Sequence, residues 1–353
     1  MESIKSGHKQ RRRYLILGLI FLAVLVIGLF YVKWWPYFQK AVAASQTHAI
    51  GGAIIANIGK GAAPFSLLAG WTFTLAYFKA VWKAVILGLL VGSLVQVLIP
   101  NRVIQRYLGG SQFKNSLAAM LMGVPTMMCT CCTAPVAVGL KRSKASVNSV
   151  VAFFLANPLL NPATLVFMGF VLGWNFVVFR IVFGLIAVLG LATLVGKLSP
   201  KKTVGIPDNK LFDPIRENNG RLLQRWGKAL GRLVLESIPA YVVIVFILGA
   251  FQGLLFPAIN SSLDGGLLAI VLFAVVGTIF VLPTAGEIPI IQVLMAMGLS
   301  GGPAAALLIA LPAVSVVSLA LLKPALSWRS LVTIGLGVMV ISAFAGLVGT
   351  VIL

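Results

Sequence analysis

Three thiols and one carboxylate are the residues of this sequence best suited to chemistry. Cys129, Cys131 and Cys132 are all of its cysteines and lie within four consecutive positions. Glu287 is the acidic residue of an apolar stretch, VLPTAGEIPIIQ, at residues 281–292. Thiolates are soft ligands for thiophilic metals and metalloids, and an acid in an apolar membrane segment is typical of ion and proton pathways. We expect Glu287 to carry protons; a neutral glutamic acid that caps a broken helix is the alternative.

The cysteine cluster has three interpretations, and the sequence leaves all three open. Free cysteine is commonly a small buried hydrophobic residue. Helical spacing puts Cys129 and Cys132 on one face, and a turn would bring Cys131 round to complete a soft-ligand site. The thiols also fit a redox pair, although we expect a disulfide between such near neighbours to be strained. A structural zinc site is not predicted, because it needs four ligands and no further cysteine or histidine lies near the motif.

Several polar residues near the two stretches are candidates for the same site. Thr130, Thr133 and Thr284 are expected to line a cavity or to bond to helix carbonyls. Asn157 and Asn161 each precede a proline. We expect them to cap a broken helix, and both are candidate substrate ligands.

The composition indicates a polytopic helical membrane protein. The chain has 353 residues, of which 59% are hydrophobic and 10% charged, whereas soluble domains carry about 25% charged residues. Several apolar runs reach the roughly 20 residues that span a bilayer. The net charge of +21 comes from Lys and Arg at the ends of these runs, as in cytoplasmic loops, so no nucleic-acid partner is predicted. No phosphate-binding loop is present, so nothing in the chain favours ATP-driven transport.

The charge pattern predicts about seven full spans plus two re-entrant hairpins, with the N-terminus in the cytoplasm and the C-terminus outside the cytoplasmic membrane. The first span, residues 14–30, is expected to be retained and to end in an interfacial anchor, Lys33-Trp34-Trp35. The topology of residues 36–80 is left open. The predicted units are a tail with the first span (1–63), a first repeat (64–196), a basic cytoplasmic linker (197–232) and a second repeat (233–353).

Glycines and prolines predict interruptions in the helices, because proline removes a backbone donor and strains the preceding turn. Irregular backbone at membrane depth is tolerated where it lines protein or a water-filled cavity. The predicted breaks are at Gly123, Pro125, Pro135, Pro158, Pro162, Gly286, Pro289 and Pro312.

An internal repeat relates the two interrupted stretches at a constant offset of 154 residues. The matched pairs are Gly123 with Gly277, Thr130 with Thr284, Pro135 with Pro289, Ser146 with Ser300 and Pro158 with Pro312. The equivalent loops differ in charge: residues 141–144 are basic, whereas residues 298–302 are uncharged. This difference predicts an inverted-topology repeat, the architecture in which secondary transporters bind substrate at the repeat interface between broken helices.

The chain resembles a predicted-permease family that includes ArsP and YraQ, over roughly residues 65–350. The residues that carry the resemblance are Met128-Cys129-Thr130-Cys131-Cys132, Pro135-Val136, Gly139-Leu140, Asn157-Pro158, Asn161-Pro162 and Glu287-Ile288-Pro289. ArsP members export trivalent organoarsenicals such as methylarsenite. The resemblance therefore implies that Cys129, Cys131 and Cys132 hold arsenic, with two thiolates sufficient for a methylated As(III).

The resulting hypothesis is a secondary transporter, without a cofactor, that exports a soft substrate in exchange for protons. Its expected partners are the lipid bilayer, protons and a small organometalloid or sulfur substrate, and the sequence leaves a homodimer open. A permease for thiosulfate-type or persulfide-type sulfur compounds is the first alternative. A membrane thiol oxidoreductase is the second, and the absence of a fourth cysteine counts against it.

Overall fold

The computed structural model describes residues 2–49, 65–99, 101–199, 222–255 and 266–353. These ranges contain helices and no strand. Most of the predicted linker and the boundary predicted at residue 64 lie outside the described residues.

Within the described residues, seven helical segments are long and apolar enough to cross a membrane, which confirms the predicted number of spans. They are Ile16–Thr47, Leu67–Leu98, Val147–Val171, Trp174–Leu198, Leu222–Ala250, Gly301–Leu322 and Trp328–Ile352. The protein is therefore a multi-pass membrane protein.

Three spans have different limits from those predicted. The first span does not end near residue 30, because α1 (Glu2–Leu29) continues through a π-helical turn, Phe30–Trp34, into α2 (Trp35–Thr47). Part of the stretch left open, residues 36–80, belongs to one long helix, α3 (Leu67–Leu98). The fifth span begins within the stretch assigned to the linker, because α10 (Leu222–Ala250) starts at Leu222.

The helices between these spans are short. An α-helix rises about 1.5 Å per residue, so helices of 10 to 13 residues reach about half-way across a bilayer. Helices of 10 to 13 residues suit the predicted re-entrant hairpins, whose depth in the membrane stays a prediction. The short helices are α4 (Asn101–Leu108), α5 (Phe113–Gly123), α6 (Thr130–Arg142), α11 (Gln252–Leu255), α12 (Leu267–Ile279) and α13 (Glu287–Ala296).

The helices of the second half follow those of the first at the offset of the sequence repeat. The helices α7 (Val147–Leu159) and α14 (Gly301–Ala313) have 13 residues each and begin 154 residues apart. The same offset relates the starts of α8 (Pro162–Val171) and α15 (Val316–Leu322) and both ends of α9 (Trp174–Leu198) and α16 (Trp328–Ile352). The repeat is thus present in the helix boundaries; the opposite membrane orientation of its two copies stays a prediction.

The helix breaks coincide with only some of the predicted glycines and prolines. Pro125 lies in a 3-10 turn after α5, Pro162 is the first residue of α8, and Gly286 is the N-cap of α13. A proline is tolerated at a helix start because the first N–H groups have no partner within the helix.

The prediction of a break at Pro135 is wrong, because α6 continues through it to Arg142. Pro289 lies in the first turn of α13, and Pro158 and Pro312 each lie one residue before the last residue of their helices. Gly123 ends α5, where a Cβ would lie 2.9 Å from the Phe153 carbonyl oxygen, so its role is close packing against α7.

Candidate functional site

A narrow cavity with room for about one water molecule lies between the two interrupted segments. Two pairs of residues that the sequence repeat relates by 154 positions line it, Thr130 with Thr284 and Pro158 with Pro312. The full lining is Cys129, Thr130, Pro158, Thr164, Leu282, Pro283, Thr284, Ala285, Glu287, Leu311 and Pro312. The polar groups that face this space are a thiol, three threonines and a carboxylate.

The structure brings two of the three thiols together. Cys129 is the N-cap of α6 and Cys132 lies in its first turn, with their Sγ atoms 2.8 Å apart. The thiol of Cys131 lies on another side of the helix, where the Tyr77 hydroxyl is 3.7 Å away. That hydroxyl is 3.1 Å from the hydroxyl of Tyr241.

The described side chains include no group of three His, Cys, Asp or Glu residues placed to hold a metal ion. Cys129 and Cys132 form a pair and Cys131 lies apart, because consecutive positions of a helix point about 100° apart. The three-thiol metalloid site, Cys129 with Cys131 and Cys132, stays a prediction.

Two glycines of α3 place the helix that carries the thiols. A Cβ on Gly88 would overlap the carbonyl oxygen of Cys132, and a Cβ on Gly92 would lie 2.5 Å from that of Pro135. Glycines four residues apart form one helix face and allow two membrane helices to touch backbone to backbone. The thiol pair is thus fixed by a backbone contact between α3 and α6.

Lys33 is the residue whose position differs most from the prediction. It is 4% exposed, and its ammonium donates to the hydroxyls of Tyr37 at 2.9 Å and Thr284 at 3.2 Å. It interacts electrostatically with Cys129 and Cys132. The prediction of Lys33 as an interfacial anchor is therefore wrong, because the π-helical turn directs it into the protein.

Among the described side chains, the ion pairs involve residues other than Lys33. Lys33 is thus a buried cation with hydroxyl and thiol neighbours. Among the residues that the structure describes, it has no carboxylate partner.

Glu287 is paired with a buried arginine. Its Oε1 accepts a hydrogen bond of 2.7 Å from Nη1 of Arg180, and the side chains are 3% and 0% exposed. Arg180 also donates to the carbonyl oxygens of Pro158 at 2.7 Å and Leu159 at 3.0 Å. The guanidinium thus satisfies the open C-terminus of α7, while Glu287 lies at the N-terminus of α13; both placements suit the helix dipoles. Glu287 is therefore a buried acid with a cationic partner on another helix.

The two asparagines have different roles. Asn161 is the N-cap of α8 and accepts from the backbone N–H groups of Ala163 and Thr164, as predicted. Asn157 caps no helix. Its Oδ1 accepts a hydrogen bond from the hydroxyl of Thr126, and its Nδ2 donates to the backbone carbonyl oxygen of Phe153. Asn157 therefore ties α7 to the loop that precedes the thiol pair.

The two candidate threonines of the cysteine segment, Thr130 and Thr133, have different surroundings. Thr133 donates to the carbonyl oxygen of Cys129, 2.9 Å away, and so bonds back within the helix. Thr130 lines the cavity beside Cys129.

A match to a protein family covers most of the chain. The family model ArsP_1, described as a predicted permease, matches residues 71–351. The chain belongs to this permease family. The permease is 45% identical over 330 residues to UPF0718 protein YraQ of Escherichia coli (strain K12), an alignment that covers 93% of both chains. It is 20% identical over 335 residues to UPF0718 protein MJ0584 of Methanocaldococcus jannaschii, covering 76% of the permease and 92% of that relative. No solved structure matches it.

Sequence reasoning missed four residues around the cavity of the permease. Arg180 had a usable signal, since a charge inside an apolar span is costly and marks a functional or paired site. Lys33 had a misleading one, because basic and tryptophan residues at the end of an apolar run also mark interfacial anchors. No sequence signal marks Tyr77 and Tyr241, since tyrosine is common in membrane helices.

Proposed function

We propose that the permease is a secondary transporter that carries a small thiol-reactive substrate on the Cys129–Cys132 pair. The observation that supports this proposal is the contact of the two sulfurs at a cavity between the repeat copies. A trivalent organoarsenical is the substrate class that the resemblance to organoarsenical exporters suggests. Its arsenic would exchange two As–O bonds for two As–S bonds, with one water released for each, so two thiols suffice.

We further propose that export is coupled to protons through Glu287. The carboxylate lines the cavity and is held by Arg180. A proton that enters the cavity would neutralise Glu287, weaken its ion pair with Arg180 and loosen the junction of α7, α9 and α13. Protons also compete with arsenic for the sulfurs, so proton entry favours substrate release.

The thiol pair is tested by single serine substitutions. Removing one of two arsenic ligands in Cys129→Ser or Cys132→Ser should weaken methylarsenite binding at least about tenfold, equivalent to about 1.4 kcal/mol. The measurement is equilibrium binding to the purified protein, with export from intact cells as the second readout. Cys131→Ser is the matched control and should bind within about twofold of the unmodified protein. An equal loss of methylarsenite affinity in all three variants would mean that all three thiols bind arsenic. Unchanged affinity in every variant would exclude the arsenical assignment.

The coupling is tested by Glu287→Gln in proteoliposomes. This variant keeps the size of the side chain and removes its titratable proton, so an imposed pH gradient should no longer drive uptake. Substrate exchange without a gradient should continue. Undiminished gradient-driven flux in this variant would exclude Glu287 as the coupling residue.

Lys33 favours a second candidate substrate, an anionic sulfur compound such as thiosulfate. A buried ammonium without a carboxylate partner is costly, and an anion in the adjacent cavity would offset that cost. Lys33→Met should then reduce thiosulfate uptake at least tenfold, and Lys33→Arg should retain most of it. Transport of the uncharged methylarsenite should fall less in Lys33→Met than transport of thiosulfate does. A larger loss for methylarsenite than for thiosulfate would exclude the sulfur-anion assignment.

A further inference from the structure

We propose that Cys129 and Cys132 also form a thiol–disulfide exchange pair, which a small disulfide entering the cavity oxidises. Oxidation would withdraw both substrate ligands at once and so stop transport. This consequence rests on the proposed function, whereas the exchange chemistry does not.

The positions of the two thiols fit the two roles that exchange requires. Cys129 lines the cavity and is 4% exposed, so it is the thiol of the pair that a disulfide meets first once the cavity widens to admit it. Cys132 is 0% exposed and is absent from the cavity lining, but its sulfur contacts that of Cys129. A Cys-x-x-Cys pair at the start of a helix is an arrangement that redox-active thiols use.

The surroundings of Cys129 favour its thiolate, which is the attacking species. It lies at the N-terminus of a helix of 13 residues, where the backbone dipoles favour negative charge. The Lys33 ammonium donates to the hydroxyl of Thr284, which lines the same cavity as Cys129. The carboxylate that lines the same cavity, Glu287, is held by Arg180.

The reaction has two balanced steps. The Cys129 thiolate attacks one sulfur of the small disulfide, which forms a mixed disulfide and releases one small thiolate. The Cys132 thiolate then attacks the Cys129 sulfur, which forms the internal disulfide and releases the second small thiolate. The two protein thiols lose two electrons and two protons in total, and the small disulfide gains them as two thiols.

Cys131 provides an internal control on the same helix. Its thiol is as deeply buried as that of Cys132, but it faces the hydroxyl of Tyr77. General oxidation of buried thiols would consume Cys131 as well, whereas exchange at the pair would spare it.

The experiment counts free thiols in the full chain purified in detergent. The protein is treated with 2-hydroxyethyl disulfide, quenched in acid, unfolded and labelled with a maleimide polymer that shifts each thiol on a gel. The unmodified protein should lose two of its three thiols and recover them with dithiothreitol. Cys131→Ser should lose both remaining thiols. Cys132→Ser should stall as a mixed disulfide on Cys129, visible by mass spectrometry.

Three free thiols after treatment, or participation of Cys131 to the same extent as the pair, would overturn the proposal. Because the unmodified protein is the main sample, poor folding of a variant cannot mask the result. Flux in proteoliposomes separates this proposal from the transport function: reversible loss on oxidation is expected, and full flux in protein shown to carry the disulfide would overturn the link to transport.

Discussion

At the scale of single residues, buried charge is the most informative feature of this protein. Arg180 and Glu287 lie in a setting where an isolated ion costs several kcal/mol. Their ion pair, and the bonds from Arg180 to two open carbonyl groups, offset that cost. The pair therefore joins three helices at the edge of the cavity.

Removing one member of this pair should be strongly destabilising. We expect Arg180→Met to lower the free energy of unfolding by about 3–5 kcal/mol, because it leaves a buried carboxylate without its partner. The measurement is unfolding of the purified protein in detergent. Arg106→Gln, a change of an exposed arginine, is the control and should stay within about 0.5 kcal/mol. The double variant Arg180→Met, Glu287→Leu should lose less than the sum of its single changes; strict additivity would contradict the coupling.

At the scale of elements, the contact between α3 and α6 determines where the thiols lie. Gly88 and Gly92 allow the α3 backbone to touch the carbonyl groups of Cys132 and Pro135. A helix that carries an internal proline has one unpaired carbonyl, which here belongs to Cys131, four residues before Pro135. The position of the thiol pair thus depends on two residues that have no side chain.

Adding one methyl group at this contact should disturb it. Gly92→Ala puts a Cβ 2.5 Å from the Pro135 carbonyl oxygen, and we expect a loss of about 1–3 kcal/mol. The same change at Gly190, an exposed position in α9 with no atom within 4 Å of the added Cβ, should be neutral or stabilising by up to about 1 kcal/mol. Thermal unfolding of both variants in one detergent checks the difference. Equal effects at the two sites would mean that α3 and α6 do not touch at Gly92.

At the scale of the whole molecule, both halves of the chain line the cavity. Each half contributes a threonine and a proline 154 positions apart, and the starts of helices α7 to α9 recur in α14 to α16 at the same offset. The first span contributes Lys33, although it lies outside both copies and outside the residues that the family model matches.

The orientation of the two copies is tested with reporter fusions. A reporter placed in the linker at residue 212 should lie in the cytoplasm, and one at the C-terminus should lie outside, because three spans separate them. Alkaline phosphatase and a fluorescent protein report the two sides independently. The N-terminal fusion serves as the cytoplasmic control. A linker and C-terminus on the same side would contradict the inverted repeat.

The sequence by itself determined the membrane class, the number of spans and the offset of the repeat. These properties follow from the length of apolar runs and from the spacing of prolines, which are local. It also pointed to Cys129 and Glu287, because a clustered thiol and an acid in an apolar segment are rare enough to be noticed.

The tertiary structure decided which of these groups meet. Cys131 is separated from its neighbours by the turn of a helix, and that helix continues through Pro135. Lys33 reaches Thr284 across 251 positions, and Arg180 reaches Glu287 across 107. No periodicity or spacing encodes such pairs, since they depend on how separate helices pack and on the need to satisfy each buried charge.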